Sequence, residues 1–466
     1  MAQVSKFQFV DNDALKSNRK LIRSHVMKGK NASKAKPRCD QKFVNKTNES
    51  SNRIPGDALT SIDYASKLPL LERPLGDELS FITFPCKADL STRRLIHQFM
   101  VVQLQVLYPK EFCFQMDHMR STWFEYIQRS ETFYHCSLVM ATICIDGLLG
   151  KPLRSPQALR HLADTYKCIN QDLRGQGTPS DATFAVVVSL AVHENLTNQF
   201  GVSKVHLKAL QLMLEMRGGI KAFSSNWVIW HKICRADIDR ALHEGCDSMY
   251  YRDTLPKQTL RSSSVKKELM SPDSASKTLL PLTDPGLDCI ATDTNQFCHL
   301  LNQNPARFSL DPADFQNALI TFAYRLLQYC PLAGEPPEDK LDSAIFTTLL
   351  GFLTTLLFEQ GRMHVCAYDL LASRLRHAIS ELMVSITLKQ QPVLLWVLFS
   401  GGISLCGPED ESWLCPYITS CLSSLEIDTW DAAHKVISRL PWVRVVHDKP
   451  GFKLWQTAKA HDDQST

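Results

Sequence analysis

The 466-residue sequence lacks the short motifs that identify most nucleotide-binding enzymes and structural zinc proteins. None of its 15 cysteines stands three positions from another, so there is no Cys-x-x-Cys pair. There is no Gly-x-x-x-x-Gly-Lys-Ser/Thr loop, which excludes a P-loop, and no His-Glu-x-x-His motif. The scattered cysteines predict free, mostly buried thiols in a reducing compartment, without a bound metal ion.

Two glycine-containing stretches approach known motifs without completing them. The stretch from Gly402 to Gly407 contains Ser404, but it misses the Gly-x-Ser-x-Gly elbow by one position and follows an apolar helical segment. It therefore predicts a helix end. The stretch from Gly175 to Ser180 lacks the third glycine and the preceding strand of a dinucleotide fingerprint. Because the acidic residues are also dispersed, the sequence predicts no catalytic residue, no cofactor-binding residue and no enzyme.

Long apolar runs are scarce as well. The longest, Ile345 to Phe358, is interrupted by four threonines and a glycine. It falls short of the roughly 20 residues that a membrane-spanning helix needs. The N-terminal residues lack the apolar core of a signal peptide. Hydrophobic residues make up 44% of the chain and charged residues 21%, so we expect a globular core and no membrane partner.

Acidic residues are rare at the N-terminus, and this imbalance is the one positive signal in the composition. Residues 1–46 contain 12 Lys/Arg and 3 Asp/Glu, which gives +9 and leaves −5 for the rest of a chain whose net charge is +4. A basic arm on a mildly acidic body is typical of proteins whose arm contacts nucleic acid or a nuclear-import receptor. We expect this arm to be flexible, because it has few large apolar residues.

The candidate contact residues of the arm are its basic residues between positions 19 and 38: Arg19, Lys20, Arg23, Lys28, Lys30, Lys34, Lys36 and Arg38. They could neutralise DNA phosphates or form an import patch. The alternative is a solvated tail without a partner. No aromatic residues are interleaved with them, so stacking on single-stranded bases is not expected.

Helical periodicity and capping residues predict an all-α fold of two packed helical lobes behind the basic arm. Ser155-Pro156 is a cap followed by a favoured first-turn proline, and Ser180 can open the next helix. The predicted organisation is a basic arm at 1–46, a linker at 47–78, lobe 1 at 79–250, a flexible loop at 251–294, lobe 2 at 295–457 and a tail at 458–466.

The stretch Ser203 to Gly219 predicts the central helix of the fold. Its polar residues Lys204, Lys208, Gln211 and Glu215 form one narrow stripe, and the remaining surface is almost entirely apolar. A helix of this composition is expected to be packed on most sides. Ser203 can cap its beginning, and Gly218-Gly219 suits the left-handed conformation that ends a helix.

Several spaced stretches together resemble fungal proteins that carry the fungal-specific transcription-factor-like domain. The resemblance covers most of the chain, at Phe7 to Val10, Arg19 to Lys28, Trp123 to Tyr126, Ala141 to Gly150, Ser180 to Thr183, His193 to Leu196, His206 to Gly219, Leu394 to Gly402 and Trp442 to Trp455. It implies an α-helical regulatory domain of the kind that follows a six-cysteine binuclear zinc cluster. That cluster is absent here, so neither sequence-specific DNA binding nor any catalytic residue is carried over.

The resemblance and the basic arm together predict a fungal nuclear regulator of pathway genes, including genes of secondary-metabolite clusters. Other transcription regulators are the expected partners, with DNA as a partner of the arm. One alternative is a helical scaffold or co-regulator that binds a zinc-cluster partner without touching DNA. Another is a pocket-containing enzyme or small-molecule receptor. The sequence identifies no effector ligand.

Overall fold

A computed structural model of the chain describes residues 82–114, 117–149, 151–175, 178–250, 282–303, 309–359 and 368–465. Within these ranges the protein has 15 α-helices and no β-strand, with one isolated bridge between Cys113 and Leu310. The predicted all-α fold class is confirmed. The basic arm with its eight candidate contact residues, and the linker at 47–78, lie outside the described ranges.

Seven helices lie between residues 82 and 250. They are α1 (Leu90–Leu107), α2 (Asp117–Arg129), α3 (Glu131–Leu148), α4 (Pro156–Arg174), α5 (Asp181–Leu196), α6 (Phe200–Met216) and α7 (Trp227–Glu244). Neighbours in the sequence pack on one another, α3 against α4 and α5 against α6, while α7 packs against α5.

Eight helices lie between residues 282 and 465. They are α8 (Pro285–Leu301), α9 (Pro312–Tyr329), α10 (Lys340–Thr354), α11 (Asp369–Met383), α12 (Gln391–Leu405), α13 (Glu411–Ser424), α14 (Trp430–Ile437) and α15 (Arg444–Ser465). A π-helical turn, Thr355–Glu359, follows α10. Helix α9 packs against α7 and thereby joins the two halves of the described chain.

Side-chain caps fix where many of these helices begin. Ser155 accepts a hydrogen bond from the Ala158 N–H at the start of α4, and Ser180 accepts one from the Thr183 N–H at the start of α5, as the sequence predicted. Helix α1 is capped by Asp89, whose carboxylate lies 2.8 Å from the Thr92 nitrogen. Each such cap typically contributes about 1 kcal/mol, because it satisfies an N–H group that has no partner within the helix.

One hydrophobic core runs through the described helices, from Ile96 in α1 to Ala458 in α15. Its most buried element is α12, on which almost every residue is inaccessible to solvent. Helix α10 crosses α12 closely at Gly351, where a Cβ atom would lie 2.6 Å from Ser404 Oγ. Helices from both predicted lobes therefore share this main core. A second, small cluster beside it consists of Phe99, Met140 and Ala141.

Helix α6 is exposed on one face, contrary to the prediction that it is packed on most sides. Leu210 is fully buried, whereas Val205 is 59% exposed and Met216 69% exposed. The helix is as apolar as its sequence indicates, but in the described part of the chain only one side of it is covered, mainly by α5. The helix that is buried nearly all round is α12.

The predicted beginning of α6 was wrong, and its predicted end is confirmed. The helix begins at Phe200, so Ser203 lies inside it. The Ser203 hydroxyl donates to the Ala191 carbonyl oxygen of α5 at 2.9 Å instead of capping α6. The predicted end is confirmed, since Gly218 and Gly219 have φ values of +92° and +88°. Side chains are strained in that conformation, which glycine adopts freely.

Two predicted boundaries in the second half are corrected. Helix α8 begins at Pro285, within the predicted loop 251–294, and Asp284 caps it by accepting from the Gly286 and Leu287 N–H groups. Pro285 signals a first helical turn here, not a continuing loop. Helix α15 extends to Ser465, through almost all of the predicted tail 458–466.

The segment Lys340–Leu357 is long and apolar enough for a membrane span by composition, with a mean hydropathy of 1.3. However, 89% of it is buried inside the fold. The core helices of soluble proteins have the same composition, so this segment is weak evidence for a membrane span.

Candidate functional site

A small cavity with two cationic side chains lies where α1, α2, α3, α5 and α7 meet. Its volume is about 40 Å³, which is room for about two or three water molecules. The walls are largely apolar and are formed by Phe99, Met100, Leu104, Leu107, Trp123, Ile127, Phe133 and Met140. The polar lining consists of Gln103, Tyr108, Cys136, Ser137, Ser189, Lys232 and Arg235. Apolar walls with a few convergent polar groups are typical of a small-molecule site.

The ammonium group of Lys232 is the most unusual feature of this cavity. It lies over the ring of Trp123, 5.0 Å from the ring centroid. Phe133 holds that ring in place by stacking at 5.6 Å with an interplanar angle of 5°. In the described part of the chain Lys232 has no hydrogen bond and no carboxylate partner. A cation–π contact contributes about 0.5–2 kcal/mol and replaces only part of the hydration lost on burial.

Arg235 lies one helical turn after Lys232 and is held by neutral groups. Its Nη1 donates to Gln316 Oε1 at 3.0 Å. The amide nitrogen of Gln316 in turn donates to the Leu107 carbonyl oxygen at 2.8 Å. This chain of hydrogen bonds orients the guanidinium group without neutralising it, and no ion pair of Arg235 occurs among the described residues.

The charge balance of the cavity is therefore positive at neutral pH. Burial lowers the pKa of Lys232 to about 8; the Cys136 thiol opposes this shift and Arg235 adds to it. Burial also raises the pKa of Cys136 to about 11 and that of Tyr108 to about 12, so both groups remain uncharged at pH 7. An anionic group entering the cavity would meet two cations and gain charge-assisted hydrogen bonds.

A second group of chemically active side chains lies away from this cavity. The ligand atoms of Cys86, Glu131 and His135 all lie within 4.8 Å of one another, and those of His135, His161 and Asp164 do so as well. These are residue types that hold metal ions. The sequence predicted no metal ligands, because the members come from three separate segments and no spacing rule connects them.

None of the candidate site residues from the sequence is among the described residues that line the cavity. The eight basic residues of the arm lie outside the described ranges, so their proposed contacts stay predictions. Ser404 lies in the last turn of α12, as the helix-end interpretation predicted, and its hydroxyl donates to the Ser400 carbonyl oxygen at 2.7 Å. It is only 3% exposed, and among the described residues its hydroxyl bonds only to backbone carbonyl oxygens of its own helix, without a base to activate it.

Sequence reasoning missed Lys232 and Arg235 although a signal was present. The two residues stand three positions apart, on one side of a helix whose other positions include Ile229, Ile233 and Cys234. A cationic pair inside so apolar a helix indicates either a carboxylate partner or a ligand. The choice between the two depends on distant residues such as Trp123, which a single sequence does not place.

Comparison of the chain with models of protein families, with curated proteins and with solved structures finds no match in any of the three. The resemblance to the fungal-specific transcription-factor-like domain therefore stays a prediction from the sequence.

Proposed function

We propose that this chain is a fungal nuclear transcriptional regulator of pathway genes, including genes of secondary-metabolite clusters. The all-α body is its regulatory part, and other transcription regulators are its partners. The observation that carries the proposal is the agreement between this all-α body and the fold that the resemblance implies. The basic arm at 1–46 adds support, since its charge of +9 suits contact with DNA or with an import receptor. No catalytic residue is proposed.

The test of this role is chromatin occupancy of the tagged full chain, together with expression profiling of a deletion strain. We expect the protein at a defined set of promoters, whose genes change expression in the deletion strain. Removal of residues 1–46 should abolish occupancy when the protein's partners are also removed. A protein that stays in the cytoplasm, or a deletion strain without expression changes, contradicts the proposal. Occupancy that depends only on a partner identifies the co-regulator alternative.

The arm makes a quantitative prediction about DNA. If about five of its positive charges contact phosphates, the logarithm of affinity should fall with the logarithm of salt concentration with a slope near −4 to −5. Replacing Arg19, Lys20 and Arg23 with alanine should weaken binding to all duplexes alike, because phosphate contacts carry no sequence information. Titration against two unrelated duplexes at three salt concentrations measures both effects.

A matched control for this variant removes three exposed lysines of the body, Lys208, Lys221 and Lys389. It changes the net charge equally but should leave affinity and salt slope as in the wild type. If the arm serves import only, the arm variant keeps its DNA affinity and moves to the cytoplasm. A strong preference for one duplex at high salt would reveal a base-reading element and refute the phosphate-only mode.

The cavity favours a second function within the same chain, that of a receptor for a small organic acid. Lys232 and Arg235 supply donors for a carboxylate, and Trp123, Met100 and Met140 offer an apolar and adaptable wall for its carbon skeleton. The two functions are compatible, because a regulatory domain can respond to an effector. Because the cavity has room for only about two or three water molecules, the test uses the smallest acids: calorimetric titration with formate and acetate, and with their neutral amides.

We expect the acids to bind and the amides to bind at least about tenfold more weakly, since the amides lack the charge that Lys232 and Arg235 would pair. Lys232→Met should reduce the preference for the acid, because only Arg235 then remains to pair with the carboxylate. Lys389→Met removes an exposed lysine and serves as the control. Equal affinity for acid and amide, or a preference that is unchanged in Lys232→Met, would exclude the cavity as a carboxylate site.

A further inference from the structure

The side chains around His135 at the amino-terminal end of α3 have the composition and spacing of a metal site. His135 and Glu131 are four residues apart on one helix, so they share a face. Cys86 reaches the same place from the segment that precedes α1. Its Sγ lies 3.6 Å from His135 Nε2. In a tetrahedral zinc site, a sulfur at about 2.3 Å and a nitrogen at about 2.1 Å from the ion lie about 3.6 Å apart.

Cys86 is held at this position by contacts of its own segment. Phe84 packs against the ring of Tyr134, with centroids 5.6 Å apart. The guanidinium group of Arg93 lies over Phe84 at 5.0 Å and also donates to the Ile82 carbonyl oxygen at 2.9 Å. Packing of the neighbouring residues therefore places the thiol beside His135. This position does not depend on the contact between the thiol and His135.

The second nitrogen of His135 faces a carboxylate. Nδ1 of His135 lies 4.0 Å from Asp164 Oδ2 on α4. Both this atom and Nδ1 of His161 are buried and have no hydrogen-bond partner in the part of the chain that the structure describes. A histidine that binds a metal through one nitrogen usually donates its other N–H to a carboxylate, which fixes the ring orientation. A small shift of the exposed Asp164 side chain would complete this arrangement.

We propose that Cys86, Glu131 and His135 bind one zinc ion, with Asp164 orienting the His135 ring. A mixed set of thiolate, imidazole and carboxylate ligands suits Zn²⁺ better than Mg²⁺ or Ca²⁺, which prefer oxygen ligands alone. Three protein ligands leave the fourth tetrahedral position of zinc open. Water can reach this position, because Glu131 lies at the protein surface. The site would tie the segment before α1 to helices α3 and α4. It reverses the zinc-free expectation from the sequence and is independent of the proposed regulatory function.

The test uses the full chain, reduced and freed of metal with a chelator, and titrates it with Zn²⁺ against a chromophoric competitor. We expect one tight zinc ion per chain. Cys86→Ser and His135→Gln should each weaken binding by at least about 100-fold, and Asp164→Asn by about 10- to 100-fold. Cys289→Ser and His377→Ala change an exposed cysteine and an exposed histidine outside the cluster and should bind zinc as the wild type does.

Co²⁺ provides a readout of ligand identity that a merely structural defect would not change. The wild type and Cys289→Ser should show the charge-transfer band of a thiolate–cobalt bond, and Cys86→Ser should not. Glu131→Gln alters an exposed residue, so it tests the site even if His135→Gln fails to fold. Absence of zinc binding overturns the proposal. So does zinc binding that persists in Cys86→Ser and in Glu131→Gln.

Discussion

The two halves of helix α7 differ in whether other residues of the protein neutralise their buried charged side chains. The first half carries Lys232 and Arg235, which have no carboxylate partner among the described residues. The second half carries Asp237 and Arg240, which form an ion pair with Nη2 and Oδ1 3.0 Å apart. Both halves pack into the same core, so the difference does not arise from burial alone.

The second half satisfies its charges within the protein. Asp237 accepts hydrogen bonds from the Tyr324 hydroxyl at 3.0 Å and from the Met249 N–H at 2.8 Å, in addition to its pair with Arg240. Arg240 also donates to the Asp247 carbonyl oxygen at 2.6 Å. Burial still raises the pKa of Asp237, although Arg240 lowers it. This network fixes α7 against α9 and the segment after α7 and neutralises both charges, although Arg240 Nε is buried without a hydrogen-bond partner among the described residues.

This contrast separates a structural role from a binding role. Charges that the fold has neutralised hold the fold together, and breaking them should cost stability. Charges that the fold has left unneutralised carry a desolvation cost, which a ligand of opposite sign can offset. The charges of Lys232 and Arg235 should therefore be dispensable for folding and required for binding, and the Asp237–Arg240 pair the reverse.

The largest effect is expected at Asp237. Asp237→Ala leaves the buried Arg240 without its partner and removes the acceptor for Tyr324 and for the backbone after α7. We expect a loss of about 3–5 kcal/mol in the free energy of unfolding. Urea denaturation measures it. Asp237→Asn keeps the shape and some hydrogen bonds and should lose less. A loss below about 1 kcal/mol in Asp237→Ala would remove the distinction between the two halves.

The parts of the fold that were predictable from the sequence are those determined by nearby residues. The starts of α4 and α5 follow from Ser155 and Ser180, which cap their helices through residues three positions away. The end of α6 follows from Gly218 and Gly219. Each of these features depends mainly on backbone geometry within one turn. The predicted cap Ser203 was wrong, because the helix begins earlier and its hydroxyl donates to a carbonyl oxygen of α5.

The parts that were not predictable depend on distant contacts. The sequence of α6 shows which residues are apolar, but not that its Val205 face is uncovered in the described chain. The cavity requires Lys232 to meet Trp123 from another helix, and the candidate metal site joins Cys86 to His135 across 49 positions. Without related sequences or coordinates, nothing along the chain connects these residues.

A smaller effect is expected from the pH dependence of Lys232. Its folded pKa of about 8 lies below the unfolded value of 10.5, so between these pH values the unfolded chain binds more protons. The contribution of Lys232 to stability is thus fully present above pH 10.5 and is lost as the pH falls through 8. The Lys232→Met variant has no ammonium group at this position, so it does not lose this stability at low pH. It should be more stable than wild type below pH 8, by at most about 2 kcal/mol because Lys232 is partly exposed.

The difference between wild type and Lys232→Met should shrink as the pH rises from 8 to 10.5. Comparing the two proteins cancels the titration of cysteines and tyrosines elsewhere, although Cys136 and Arg235 lie close enough to couple with Lys232. Urea denaturation at half-unit pH intervals gives the curve. If Lys232→Met is less stable than wild type at pH 7, Lys232 is a structural residue and the first half of α7 resembles the second.

The smallest effect is expected when a carboxylate is added beside Lys232, in the way that Asp237 already lies beside Arg240. Gln103 lines the cavity together with Lys232, and Gln103→Glu places a carboxylate there with almost no change in shape. We expect a gain of about 0.5–1 kcal/mol at pH 8, since the new charge offsets the desolvation of Lys232. The double variant Gln103→Glu/Lys232→Met should lose the gain, which a double-mutant cycle isolates as a coupling energy. The built-in carboxylate should also exclude acetate from the cavity, because it occupies the same donors. A stabilised Gln103→Glu protein that still binds acetate would place the acid elsewhere. Zero coupling between positions 103 and 232 would show that the two side chains do not meet, and that solvent alone already satisfies the Lys232 charge.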